Sequence, residues 1–152
     1  MQTRRQHLQQ SAVVAGLLAS TGMFPQFAHA AFNKAAFDAK TIAESLKAYG
    51  AGAPVESKDV TITAPDIAEN GAVVPMGAAT SLPNVKHLLI MVEKNPSALV
   101  AMFNVTDSID AAVSTRAKMG QSSDVYAVAV MADGKALFAK KEVKVTLGGC
   151  GG

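Results

Sequence analysis

One sulfur atom dominates the chemistry open to this chain. Cys150 is its single cysteine, and it sits in Gly148-Gly149-Cys150-Gly151-Gly152, the last five of 152 residues. A lone cysteine is more often a small buried hydrophobe than a reactive group. Here two glycines flank it on each side, so no neighbouring side chain exists with which to build a local core. Glycine loses the most conformational freedom on ordering and chain ends are usually loose, so this composition predicts a thin, mobile thread. Fully extended, five residues reach at most about 17 Å, enough to carry a thiol off a domain surface and into a narrow pocket of another protein.

With one cysteine an intrachain disulfide is impossible, which leaves an interprotein disulfide, a metal or haem ligand, or a covalent handle. His87 is the one histidine outside the first thirty residues, and a single histidine with a single cysteine falls short of a tetrahedral metal site. The methionines beyond residue 30 lie in or beside strand-like runs and read as core fillers. Catalysis by the thread alone is disfavoured, because a nucleophilic thiolate is normally stabilised by an adjacent base, a cation or a helix N-terminus. At an ordinary thiol pKa only about 3% is ionised at pH 7. Activation would have to come from the partner whose pocket receives the thread, which is how a carrier arm behaves.

Such an arm needs a rigid origin. Ala35, Ala39, Ile42, Leu46 and Tyr49 recur at steps of four and three, which predicts one amphipathic helix. Asn33 is its candidate cap, Phe32 and Phe37 occupy the positions of a hydrophobic staple, and Gly50-Ala51-Gly52-Ala53-Pro54 ends it. From Val60 onward the pattern changes to about seven strands: Val60–Thr63, Ala72–Met76, Val85–Val92, Leu99–Val105, Ala112–Met119, Val125–Met131 and Ala136–Leu147. Asn70-Gly71 and Asp133-Gly134 predict tight turns in which glycine takes a positive φ. The expected fold is all-β, an immunoglobulin-like antiparallel β-sandwich with an N-terminal amphipathic helix, although a small barrel would give a similar pattern. The run His87-Leu88-Leu89-Ile90-Met91-Val92 has too little polar alternation for a sheet with one wet face, so either both faces are covered or one is a partner surface.

Residues 1–30 read as a targeting segment. Arg4 and Arg5 open it, an uncharged stretch from Ala12 to Leu18 follows, and Ala28-His29-Ala30 offers a peptidase site that would leave Ala31 as the new terminus. The arginine pair resembles a twin-arginine export signal. Without Arg4 and Arg5 the 14 basic residues fall to 12, equal to the 12 carboxylates, so charge makes no case for nucleic acid or an anionic membrane. The expected division is a leader at 1–30, a sandwich domain at 31–147 and a carrier arm at 148–152.

The terminal Val143-Lys144-Val145-Thr146-Leu147-Gly148-Gly149-Cys150-Gly151-Gly152 resembles the SoxY family, the sulfur-carrying subunits of the Sox thiosulfate-oxidising system of bacterial periplasms. Glu69-Asn70-Gly71-Ala72-Val73-Val74-Pro75, Asn95-Pro96, Thr115-Arg116 and the arginine-pair leader are similar to the same family. The terminal motif is specific in both composition and position, whereas the other segments carry little alone. The resemblance implies that Cys150 is the attachment point for thiosulfate-derived sulfur, with Gly148, Gly149, Gly151 and Gly152 as its arm. It also implies a heterodimer with SoxZ and visits to the haem-containing SoxXA, the hydrolase SoxB and, where present, the sulfur dehydrogenase SoxCD. Neither catalytic activity nor a cofactor of the chain's own is expected, and His87, Arg116 and Glu69 receive no role.

Two other readings compete. An exported binding or adhesion sandwich would use Cys150 only to join copies through a disulfide, and mass analysis of what Cys150 carries in cells separates the two. A ubiquitin-like carrier activated at its terminal carboxylate conflicts with export, because ATP-dependent adenylation is cytoplasmic.

Overall fold

Two β-sheets pack face to face, with a short helical segment against the outside of the larger one. The computed structural model describes residues 33–106 and 108–146. The leader at 1–30, the staple residue Phe32, Leu147 and the arm at 148–152 lie outside the described residues.

The helical segment differs from the single helix expected. It consists of α1 (Lys34–Asp38) and α2 (Ile42–Ala48), separated at Ala39, whose ψ of 138° is extended. A capping box is the physical reason: Thr41 accepts from the Glu44 N–H while the Glu44 carboxylate accepts from the Thr41 N–H, so a new helix starts at Ile42. Asn33 caps α1 as expected, and its side-chain amide also donates to the Ala48 carbonyl at 2.7 Å, tying the two helices together. The break changes the buried face from the predicted one. Ala36, Ser45 and Leu46 are buried while Ala35 is exposed, and the Ser45 hydroxyl is satisfied by the Ala36 carbonyl at 2.9 Å. Gly50, at φ +70°, closes α2 by donating to Lys47, with Ala51 donating to Leu46.

Nine strands follow among the described residues: β1 (Pro54–Glu56), β2 (Val60–Thr63), β3 (Ile67–Ala68), β4 (Val74–Thr80), β5 (Val85–Val92), β6 (Leu99–Asn104), β7 (Ala112–Ala117), β8 (Ser123–Met131) and β9 (Ala136–Val145). The larger sheet runs β1-β9-β8-β5-β6, with β3 also on β9, and the smaller runs β2-β4-β7. Neighbours are antiparallel except β1 and β3, which run parallel to β9 near its start and its end. The fold is thus the expected immunoglobulin-like antiparallel sandwich. All seven predicted strands are present, β2 and β5 with the predicted bounds; β1 and β3 are additional.

Leu88, Ile90 and Val92 point into the sandwich, where they meet Val60, Val74, Met76 and Ala78 of the smaller sheet. Leu89 and Met91 point the other way, onto Ala36 and Leu46 of the helices and Val128 and Val130 of β8. All five β5 residues are fully buried. Their apolar run is therefore explained by cover from this chain's own elements on both faces. At the rim of the helical layer the His87 ring lies 5.3 Å from that of Tyr49, and its Nδ1 is 2.9 Å from the Asn104 side-chain oxygen.

Of the two predicted glycine turns, Asp133-Gly134 joins β8 to β9 with Gly134 at φ +85°. Asn70-Gly71 does something else. It carries the chain from β3 in the larger sheet to β4 in the smaller, and the described left-handed glycines are Gly50 and Gly134. Gly71 is required by proximity: a Cβ there would come within 2.6 Å of the Met119 carbonyl oxygen and 2.7 Å of a Val145 methyl.

Gly71→Ala should therefore destabilise the domain by about 1–3 kcal/mol, because the obstacle is partly backbone. Gly120→Ala, where a Cβ meets nothing within 4 Å, should change the denaturation midpoint little. Urea unfolding of both variants checks the contrast. Burial pushes the His87 imidazole below its ordinary value, against the opposing bond to Asn104. The unfolded chain then binds the proton more readily, so His87's contribution is fully present above about pH 6.5 and is lost as pH falls through the depressed folded value. Comparing denaturation at pH 7.5 and 5 for wild type and His87→Gln should show a smaller acid loss in the variant.

Candidate functional site

The predicted working atom, the Cys150 sulfur, and the four glycines around it lie outside the described residues. What the structure places is the point from which they hang, Thr146, four residues before the cysteine. β9 reaches that point because β8 pairs with it residue for residue from Ala136 to Val143. Val143 is fully buried, and beyond it the strand is held from both sides. On one side the Ser122 hydroxyl accepts from the Val145 N–H at 2.9 Å. On the other, Lys144 donates to the Asp66 carbonyl at 3.0 Å and Thr146 donates to the Ala68 carbonyl at 3.1 Å. The Thr146 hydroxyl turns toward the carbonyls of Ala68 and Glu69, at 3.5 and 3.4 Å.

The loop from Glu69 to Val73 closes over this root. Gly71 accepts from the Met119 N–H at 2.7 Å and sits against Val145, while the Asn70 side chain accepts from the Ala72 N–H at 2.9 Å. Lys141 reaches from β9 to the Ala64 carbonyl at 2.6 Å and the Asp66 carboxylate at 2.9 Å. Asp66 is largely exposed, so this pair adds position more than stability. Ile67 and Val73, on the two segments that embrace the root, leave their side chains in water.

Among the described residues no three His, Cys, Asp or Glu side chains gather where a metal ion could be held. An open depression on the smaller sheet, lined by Thr63, Pro75, Gly77, Ser114 and Arg116 among others, contains one titratable side chain, Arg116, and so offers no acid–base pair. The residues that sequence left without a role lie apart. His87 belongs to the helical rim, Arg116 is exposed opposite Pro75, and Glu69 is exposed beside Thr146 and lends it a backbone carbonyl. Asn95 holds the Lys118 carbonyl at 2.8 Å, a fold-stabilising bond. Ser122 and the two-residue β3 are the parts of the root that sequence reasoning missed, and neither carries a local pattern that could have revealed them.

The sequence matches the family described as sulfur oxidation protein SoxY from residue 46 to residue 150, a match whose last position is Cys150. The structure is similar to that of the sulfur carrier protein SoxY from Chlorobium limicola f thiosulfatophilum, with 39% identity, a TM-score of 0.56, and cover of 62% of this chain and 84% of that one. It is also similar to a variant form of superoxide reductase (neelaredoxin) from Ignicoccus hospitalis, with 17% identity, a TM-score of 0.51, and cover of 57% and 79%, a likeness of fold alone. A comparison with curated proteins finds no match. The chain belongs to the SoxY family of sulfur oxidation proteins.

Proposed function

We propose that this chain is a periplasmic carrier of sulfur compounds in thiosulfate oxidation, exported by its arginine-pair leader and paired with SoxZ. The observation that carries the reading is the family match that runs on to Cys150, the chain's one cysteine. The likeness to a solved sulfur carrier at 39% identity supports it, and so does a root that fixes where a side-chain-poor thread begins.

The Cys150 thiol couples to the outer sulfur of thiosulfate, forming an S–S bond; the thiol proton goes to solvent, and the two electrons would leave one at a time by way of the haem-containing SoxXA. Water then enters at the terminal sulfonate in SoxB, the outer S–S bond breaks, sulfate leaves and a persulfide remains on Cys150. Where SoxCD is present, it oxidises that remaining sulfur. The chain's own contribution is to present one sulfur on a thin leash and to keep every intermediate tethered, which replaces repeated bimolecular capture by a high local concentration. It activates nothing; each partner's pocket does that.

Cys150→Ser should abolish thiosulfate-dependent respiration while leaving the denaturation midpoint and SoxZ pairing at wild-type values, because an arm of this composition adds almost nothing to the core. Intact-mass spectra of wild-type protein from cells respiring thiosulfate should show sulfur adducts on the C-terminal peptide. Finding only free thiol and disulfide dimer there would sink the carrier reading. Gly149→Val with Gly151→Val should lower turnover by crowding the partner's pocket, measured as thiosulfate-dependent oxygen uptake; wild-type uptake would refute the steric requirement.

A further inference from the structure

We infer that Ile67 and Val73 form the seat on which an enzyme processing Cys150 docks, meeting an apolar lip around the mouth of its pocket. The inference rests on the carrier reading and concerns the body of the domain rather than the arm.

Tether length carries it. From Thr146, held by β3, four residues lead to Cys150, and fully extended they span at most about 14 Å. A thiol buried in a pocket uses part of that length inside the enzyme. The pocket's mouth must then come closer still to Thr146, and its lip must rest on whatever surrounds the root. What surrounds the root is known: Ile67 is in register with Lys144, Ala68 with Val145, and Gly71, two residues before Val73, abuts Val145. Ile67 is 57% and Val73 52% exposed.

An exposed aliphatic side chain is ordinary by itself. Two of them beside the one place a partner is forced to touch are positioned to meet it. Asp66, Glu69 and Lys144 lie exposed around them, giving the apolar-centre, polar-rim layout of a protein interface. So small an apolar centre suits brief contact, as successive enzymes must each let the carrier go.

Val55 supplies an internal control. It is 61% exposed and lies on the same edge of the larger sheet, but pairs with Leu137. That places it seven residues, about 23 Å, along β9 from Lys144, beyond the reach of a lip held by the arm.

The test uses full-length protein in its SoxZ heterodimer, loaded with thiosulfate on Cys150, and follows sulfate release by SoxB. Ile67→Lys with Val73→Lys should lower kcat/KM about tenfold, chiefly through KM, while Val55→Lys behaves as wild type. Inserting Gly-Ser-Gly-Ser after Leu147 of the double variant should restore most of the loss, because a longer leash lets the enzyme stand off the seat. Wild-type kinetics in the double variant, an equal loss in Val55→Lys, or no recovery with the longer leash would each overturn the docking seat while leaving the carrier reading intact. Loss of the heterodimer on size exclusion would show that SoxZ covers these residues instead, and would overturn it too. Wild-type protein whose loaded Cys150 releases no sulfate would overturn the carrier reading itself, and the seat with it.

Discussion

β9 has ten residues and two hydrogen-bonding edges, and the order of this molecule at the end of that strand depends on both being occupied. β8 fills one edge. The other would be the open margin of the larger sheet, with unpaired N–H and C=O groups facing water and inviting a foreign strand. Two short parallel pieces occupy it instead, β1 against residues 136–138 and β3 against residues 144 and 145. Between them Lys141 bridges to the Ala64 carbonyl. A strand held this way stays in register to its last residue, so anything attached beyond Thr146 starts from a fixed point.

That point is only as steady as the sheet behind it. β5 and β8 are buried on both faces, one against the smaller sheet and the other against α1 and α2. Burial of this kind normally belongs to sheets flanked by helices on both sides. Here a few helical turns and one three-stranded sheet do the same work. The helical layer is small, so its own ordering relies on local devices: the Thr41–Glu44 box, the Asn33 amide on Ala48 and the Ser45 hydroxyl on Ala36. The result is a rigid body behind the root of the arm.

The parts legible in the sequence were those with a local period or a local rule. The apolar run Leu88–Val92 of β5 and the Asp133-Gly134 hairpin could be read directly, because strand and turn preferences act within a few residues. Thr41-x-x-Glu44 was equally readable, but the spacing of Ala35, Ala39 and Ile42 continues across the break and imitates one helix. β1 and β3 could not be read, since three and two residues carry no period and their partners lie some 80 positions away along the chain. For the same reason Cys150 stood out by composition alone, whereas the Ser122–Val145 bond and the Gly71 contact exist only once the sandwich has closed.

The length of β9 also gives the domain a polarity. Its hairpin at Asp133-Gly134 lies about 30 Å from its final residue, at the opposite pole from Thr146. A fluorophore, affinity label or surface linkage placed at that hairpin would stand clear of Thr146, so that a single immobilised molecule could be watched for the proposed rounds of loading and unloading at Cys150.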